Sequence, residues 1–471
     1  MLWLPRGSDG YDADTAADFV SDYTARHGLP GAAYVVVRDG KLVDTGGAGD
    51  VSARTPMSVG SLAKSFTAFA VLQLVDRGKL DLDEPVTDVL PDFTVQGADA
   101  AQITLRMLLS HTSGLPNPLL VAATGSLEED VDRIGSVHVS TAPGTAYSYS
   151  NLNDRVLARV VEVAAEQDFD AYLSRHIFGP LGMDHTSSVV TAGLRDGLDA
   201  GRVTAYGLSL PLPELATDVV GSGGVISTAE DMGAWLAMQQ RGGTTADGTR
   251  LLSTSLVEQS RTSQPRAGTY AMGWQGTSTA DPARIGHDGA MTRYSARQDP
   301  VPSDGYAVAV LLDSYTPTYR HPFAISTGLI DVAEGRVPEL GMPVATIIDF
   351  VLGAITILVL VLGARGVQRA DRWTARRAHH RWWRRLLRLV PQTVMPAIAL
   401  LLVVGLTVGA DNPATPLDVV GLWPAALILV PSAATVGAVL IVVRLRSFRR
   451  QAGAHGAVSD SPWGDPTPER G

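Results

Sequence analysis

After Pro343 the chain changes character, and that change limits the fold more than any other feature. Residues 344–363 are apolar with one charge, Asp349, near the start; 390–410 are a second apolar run without charge and 419–443 a third. Each is long enough to cross a hydrocarbon core of about 30 Å. Three such runs so close together read as three transmembrane helices rather than buried core helices. Pro396, Pro424 and Pro431 are compatible with that, because neighbouring helices can satisfy the backbone groups a proline frees.

Charge gives the expected orientation. Residues 364–389 hold nine Arg together with Trp373, Trp382 and Trp383, and Arg444, Arg446, Arg449 and Arg450 follow the third run, whereas 411–418 has no basic residue. By the positive-inside rule 364–389 is a basic cytoplasmic loop and 444–471 a cytoplasmic tail, with residues 1–343 on the outer face and the lipid bilayer as a partner. The Gly, Pro, Ser and Asp content at the end predicts a disordered tail. Residues 1–343 carry 24 Lys and Arg against 41 Asp and Glu, a net of −17; residues 344–471 carry 14 against 7, a net of +7, which together give the chain's −10. The acidic front excludes a nucleic-acid footprint. No cysteine is present, so thiol nucleophiles, disulfides and thiolate metal sites are excluded. Met1 to Gly7 is too short for the apolar region of a signal peptide. An exported front domain therefore carries the expectation that the true start lies upstream, with 1–13 a truncated lead.

Residues 14–340 read as one α+β domain, an antiparallel sheet flanked by helices plus a helical region. Asp14 to Arg26 is an amphipathic helix. Ala32–Val37 and Lys41–Val43 are β-rich runs around Asp39-Gly40, a strong hairpin signal. From about 80 to 250 the pattern is helical with long loops, including Asn151 to Glu166 and a helix opened by Ser227-Thr228-Ala229-Glu230, which fits a capping box. Strands return over 268–313, clearest at Tyr306–Leu312, and a helix near 320–334 closes the domain. Strands at both ends with helices between imply that the late strands complete the early sheet.

Within this domain Met57-Ser58-Val59-Gly60-Ser61-Leu62-Ala63-Lys64 reads as a turn opening a core helix. Ser61 falls in the first turn, where free N–H groups favour developing negative charge. Lys64, three residues on, shares its face. The chain has 35 Arg and 3 Lys, and a lysine among apolar neighbours can become a base, which an arginine cannot. Taken alone, Ser-x-x-Lys also arises by chance with a solvated lysine. Tyr149 and Asn151 offer a phenol that can pass a proton and an amide that can orient a carbonyl or the lysine; Asn151 alone reads equally as an N-cap. In Ile285-Gly286-His287-Asp288-Gly289-Ala290, Gly289 would let a substrate backbone approach a strand edge. The Ala290 N–H could then join that of Ser61 as an oxyanion donor.

Together Ser61/Lys64, Tyr149/Asn151 and His287/Gly289 resemble the serine β-lactamase and penicillin-binding-protein superfamily, in its class C-like branch. Gly78–Asp83, Leu109–Leu115, Phe178–Met183 and Gly223–Ser227 extend the resemblance over about 14 to 335. It implies a serine hydrolase that forms an acyl-enzyme on Ser61, with Lys64 and Tyr149 moving the proton and no metal or organic cofactor. The implied substrate is a small molecule or peptide, including peptidoglycan-derived D-alanyl-D-alanine peptides, esters or β-lactams. His287 stands where the family commonly has a lysine, which reduces fixed positive charge, and Arg293 could restore it. The alternative from another class is a catalytically weak sensor that binds cell-wall fragments.

Overall fold

Asp39-Gly40 reverses the chain as its sequence predicts. The computed structural model describes residues 11–118, 126–191, 198, 200–215, 217–277, 280–318, 320–408 and 423–459. In it, β1 (Gly31–Arg38) and β2 (Lys41–Gly49) form an antiparallel hairpin. Asp39 and Gly40 have φ of 49° and 73°, the left-handed pair that a two-residue turn between twisted strands requires. Four late strands follow: β3 (Gln275–Thr277), β4 (Arg284–Ala290), β5 (Ser295–Val301) and β6 (Tyr306–Leu312). They complete a six-stranded antiparallel sheet in the order β2-β1-β6-β5-β4-β3. The early and late halves meet where β1 pairs with β6, from Ala32↔Leu312 to Arg38↔Tyr306.

The front unit, which ends at Ala345, has five principal helices: α1 (Ala13–His27), α2 (Ala63–Asp76), α3 (Asn151–Ala165), α4 (Ala229–Gln240) and α5 (His321–Ala333). They cover both faces of the sheet. Ala33, Val35 and Val37 of β1 enter a large core with residues of α2, α3 and α4. Ala32, Tyr34 and Val36 enter a second core with α1 and α5. Alternate side chains of a strand point to opposite faces, so a strand covered on both sides reads as a continuous apolar run. Every residue from Ala63 to Leu74 is buried, as expected of a helix surrounded by its own domain.

Two helix starts differ from the sequence reading by one residue. The N-cap of α4 is Thr228, whose side chain accepts from the Asp231 N–H, because Ser227 is used in a short strand, Val225–Ser227. The N-cap of α3 is Ser150, whose side chain accepts from the Leu152 N–H. Asn151 is thereby released from capping.

The tail unit, from Thr346, holds α6 (Val344–Gln368), α7 (Val390–Val408) and α8 (Pro424–Ser459). Two helices among the described residues are long and apolar enough to cross a membrane, Val344–Gln368 and Pro424–Gln451, with mean hydropathy 2.6 and 2.5. Of the three expected spans, the middle helix, 19 residues from Val390 to Val408, is the one not among these two. Residues 409–422, which hold the expected outer loop, and 460–471 lie outside the described residues. The sequence assigned 444–471 to a tail without structure, but α8 continues to Ser459. Arg, Gln and Ala, all favourable in helices, outweigh the isolated glycines there.

Candidate active site

The turn before α2 is fixed from two sides. Met57–Ser58 pairs with Val225–Ser227, and the Val59 N–H donates to the Val225 carbonyl at 3.0 Å. Gly60 then takes φ +54°, and a Cβ there would lie 2.6 Å from the Ala290 nitrogen, so only glycine lets β4 come this close. Ser61 sits in a 3₁₀ turn, Gly60–Leu62, and the α-helix proper begins at Ala63. The nucleophile candidate thus lies just ahead of the first α-helical turn.

Ser61 Oγ lies 3.3 Å from Lys64 Nζ and 3.0 Å from Tyr149 Oη. Lys64 is 1 % exposed, so it is not a solvated surface lysine. Its surroundings are polar rather than apolar, which corrects the sequence expectation. Lys64 Nζ donates to Asn151 Oδ1 at 2.7 Å and to the Ser222 carbonyl at 2.8 Å. Both partners only accept. A neutral amine therefore uses its two N–H bonds on them and turns its lone pair toward the Ser61 hydroxyl. An ammonium has a third N–H to direct there instead.

Asp154 supplies the charge balance. Its carboxylate is 3.6 Å from Lys64 Nζ, with both side chains almost wholly buried. Burial raises the Asp154 carboxyl to about 6, against the opposing pull of Lys64. Asn151 and Asp154 are three apart on α3 and so share a face, a spacing visible in the sequence and missed there. The Ser222 contact had no sequence signal: its loop is held by Thr67, whose hydroxyl donates to the Gly221 carbonyl at 2.6 Å.

Behind Tyr149 lies a buried relay that sequence reasoning also missed. His111 Nδ1 receives Asn153 Nδ2 at 2.8 Å and the Ser150 N–H at 3.4 Å. A backbone N–H only donates, so the neutral His111 ring carries its proton on Nε2. That nitrogen is 3.1 Å from Tyr270 Oη, which is 3.2 Å from His287 Nε2. At the far end His287 Nδ1 faces the Asp288 carbonyl at 2.6 Å, which only accepts. The partners therefore assign one direction to the whole chain: His111 donates to Tyr270, Tyr270 to His287, and His287 to Asp288. Burial, with Lys64 nearby, pushes His287 down to about 3 and His111 well below the usual histidine range; burial raises the Tyr270 phenol. All three are neutral at pH 7. The Tyr149 ring packs 4.5 Å from His111 and 6.2 Å from His287.

The remaining sequence candidates fall unevenly. Gly289 serves protein packing rather than open access to a strand edge: its added Cβ would meet the Val59 carbonyl oxygen at 2.0 Å and Leu62 at 2.8 Å. It thus lets β4 seat on the Ser61 turn and brings Ala290 beside Gly60. Arg293 is 4 % exposed. Its N–H donates to Glu214 Oε2 at 3.0 Å and its guanidinium to the Thr292 carbonyl at 2.6 Å. Ser61, Lys64, Tyr149 and Asn151 are joined by direct contacts, and His287 joins them through Tyr270 and the Tyr149 ring. Arg293 is held by Glu214 and the Thr292 carbonyl. Among the described residues no cluster of His, Asp and Glu has the makings of a metal site.

The family model described as Beta-lactamase matches residues 16–324. Penicillin-binding protein 4 of Amycolatopsis lactamdurans is 32 % identical over 345 residues, which cover 68 % of this chain and 90 % of that one. Protein flp of Staphylococcus aureus (strain COL) is 28 % identical over 324 residues, covering 64 % of this chain and 63 % of its own. Among solved structures, the octameric penicillin-binding protein homologue from Pyrococcus abyssi aligns with a TM-score of 0.58 at 22 % identity, covering 70 % of this chain and 79 % of that one.

Proposed function

We propose, from the premise that this chain belongs to the beta-lactamase family, that it is a membrane-anchored serine hydrolase forming an acyl-enzyme on Ser61. The observation that carries the reading is the placement of Ser61 Oγ within 3.3 Å of Lys64 Nζ and 3.0 Å of Tyr149 Oη. As Ser61 attacks a carbonyl carbon, its proton passes to the Lys64 lone pair, and Tyr149 hands a proton to the departing amine or alcohol. Water then attacks the acyl-enzyme and gives its proton to the Tyr149 oxygen, while the Lys64 ammonium returns its proton to Ser61. The N–H groups of Ser61 and Ala290 hold the oxyanion.

The substrate is a peptide, amide or ester, with a D-alanyl-D-alanine cell-wall peptide first in line. The relative from Amycolatopsis is named for binding penicillin, which makes a penicillin the first probe. A neutral His287 supplies no fixed cation for a substrate carboxylate at that position. Anchoring rests on the apolar α6 and α8, with 390–410 as a third span. The arginine-rich segments then face the cytoplasm and the front domain the outside. The test is covalent labelling by a fluorescent penicillin or fluorophosphonate. Labelling of the wild type that vanishes in Ser61→Ala is expected; labelling that persists in that variant sinks the assignment.

A further inference from the structure

We infer that the tail unit carries a binding site for a phosphate-bearing anion, in a basic cleft around Trp373; this rests on the membrane reading above. The cleft, of 650 Å³, is formed by the segment after α6, the start of α7 and the end of the apolar part of α8. Arg377, Arg384, Arg388 and Arg444 line it, with His380 and the exposed apolar Leu387 beside them. Among the described residues no acidic side chain lines it, and none of the four arginines has an ion-pair partner.

The cleft is built rather than accidental. Thr374 and Ser447 hydroxyls meet at 2.6 Å, and Ser447 also donates to Asp371 at 2.6 Å. These bonds pin the Trp373 turn to α8, and the indole packs edge-on to Phe448 at 5.8 Å. The guanidinium groups of Arg377 and Arg444 both lie 4.3 Å from the Trp373 ring centre. Arg444 is only 9 % exposed, and the Nε atoms of both arginines are buried without a hydrogen-bond acceptor. Two guanidinium groups against one indole, Arg444 buried and Arg377 half-buried, each keep an unpaired Nε–H among the described residues, and an anion would relieve their mutual repulsion. Their planar forks match a phosphate, which accepts two parallel N–H bonds.

Position points to where such an anion comes from. Val390 opens one apolar helix and Arg444 follows the apolar run of another, so both helices reach the cleft at the same membrane face. An anionic phospholipid headgroup and a soluble phosphate share the chemistry required. Basic pockets between membrane helices commonly hold the former.

The test reconstitutes the full chain in nanodiscs of phosphatidylcholine with a minor fraction of phosphatidylglycerol, then identifies retained lipid by native mass spectrometry. The wild type is expected to retain phosphatidylglycerol selectively. Arg377→Gln with Arg444→Gln should lower that selectivity about 30-fold, while the equally discharged control, Arg381→Gln with Arg450→Gln, keeps it. If the double variant does not fold, Arg388→Gln on the exposed lip carries the test, with a loss of about fivefold. In discs of phosphatidylcholine alone, inorganic phosphate that stabilises the wild type but not the cleft variant assigns the site to a soluble anion. Neither lipid selectivity nor a phosphate effect, or equal loss in the control, overturns the inference. Release of the chain from membranes by alkaline carbonate refutes anchoring instead, and leaves the phosphate measurement to judge the cleft.

Discussion

Gly289→Ala separates the proposed role of β4 in acylation from its role in folding. The added Cβ would lie 2.0 Å from the Val59 carbonyl oxygen, where a carbon and an oxygen need about 3.3 Å. Val59 cannot retreat, because its N–H is bound to Val225 and its carbonyl accepts the Leu62 N–H at 3.3 Å. The strand must therefore move out by about 1.3 Å, and Ala290, the next residue, moves with it. An oxyanion bond of about 2.9 Å would stretch beyond 4 Å, where no hydrogen bond remains. Loss of one such donor costs about 10²–10³ in rate. Overpacking adds about 1–3 kcal/mol of destabilisation, a fall in melting temperature of several degrees for a domain of this size. The assay is the rate of Ser61 acylation by a fluorescent penicillin, measured well below the melting temperature of each protein. Gly78→Ala is the control: its φ is +68° but nothing lies within 4 Å of its added Cβ, so it should lose about 1 kcal/mol of stability and no acylation rate. A folded Gly289→Ala protein that acylates at the wild-type rate refutes the proposed oxyanion role of Ala290.

Lys64→Arg should cut acylation by about 10²–10⁴-fold at every pH, because a guanidinium does not shed its proton; recovery of rate in alkaline buffer would contradict this. Tyr270→Phe removes the hydroxyl between the two histidines and leaves a buried His111 N–H without an acceptor, a cost of about 1–3 kcal/mol. A wild-type melting temperature for that variant would refute the relay. Asp130 and Asp218 face the single Arg155 at 3.7 and 3.9 Å, and burial next to Asp218 raises Asp130 to about 8 from 3.8. A raised carboxyl contributes stability at low pH that is lost as pH rises through that folded value. Asp130→Asn should therefore gain melting temperature over the wild type as pH climbs toward 8, and parallel curves would refute it. His287, lowered to about 3 from 6.5, works the other way. Its contribution is present above pH 6.5 and fades as pH falls toward 3, so His287→Gln should flatten acid unfolding in that window; an unchanged acid limb would count against a buried neutral ring.

Local chemistry written in adjacent residues determined much of this protein. The Asp39-Gly40 turn, the unbroken apolar run of β1, the helix after Ser61 and the apolar stretches of α6 and α8 follow from neighbouring side chains and their spacing, and the sequence carries those directly. It also carries Ser61, Lys64, Tyr149 and Asn151 as types fit for acyl transfer. What it could not carry is which groups surround Lys64. The Ser222 carbonyl and Asp154 reach it only because α3 and the loop held by Thr67 pack against α2, segments far apart along the chain. His111, Tyr270 and His287 become one relay for the same reason, and Gly289 acquires its purpose from a carbonyl on another element. Periodicity and turn chemistry act over a few residues, whereas burial, charge balance and proton direction depend on neighbours in space. Those were decided by the tertiary structure alone.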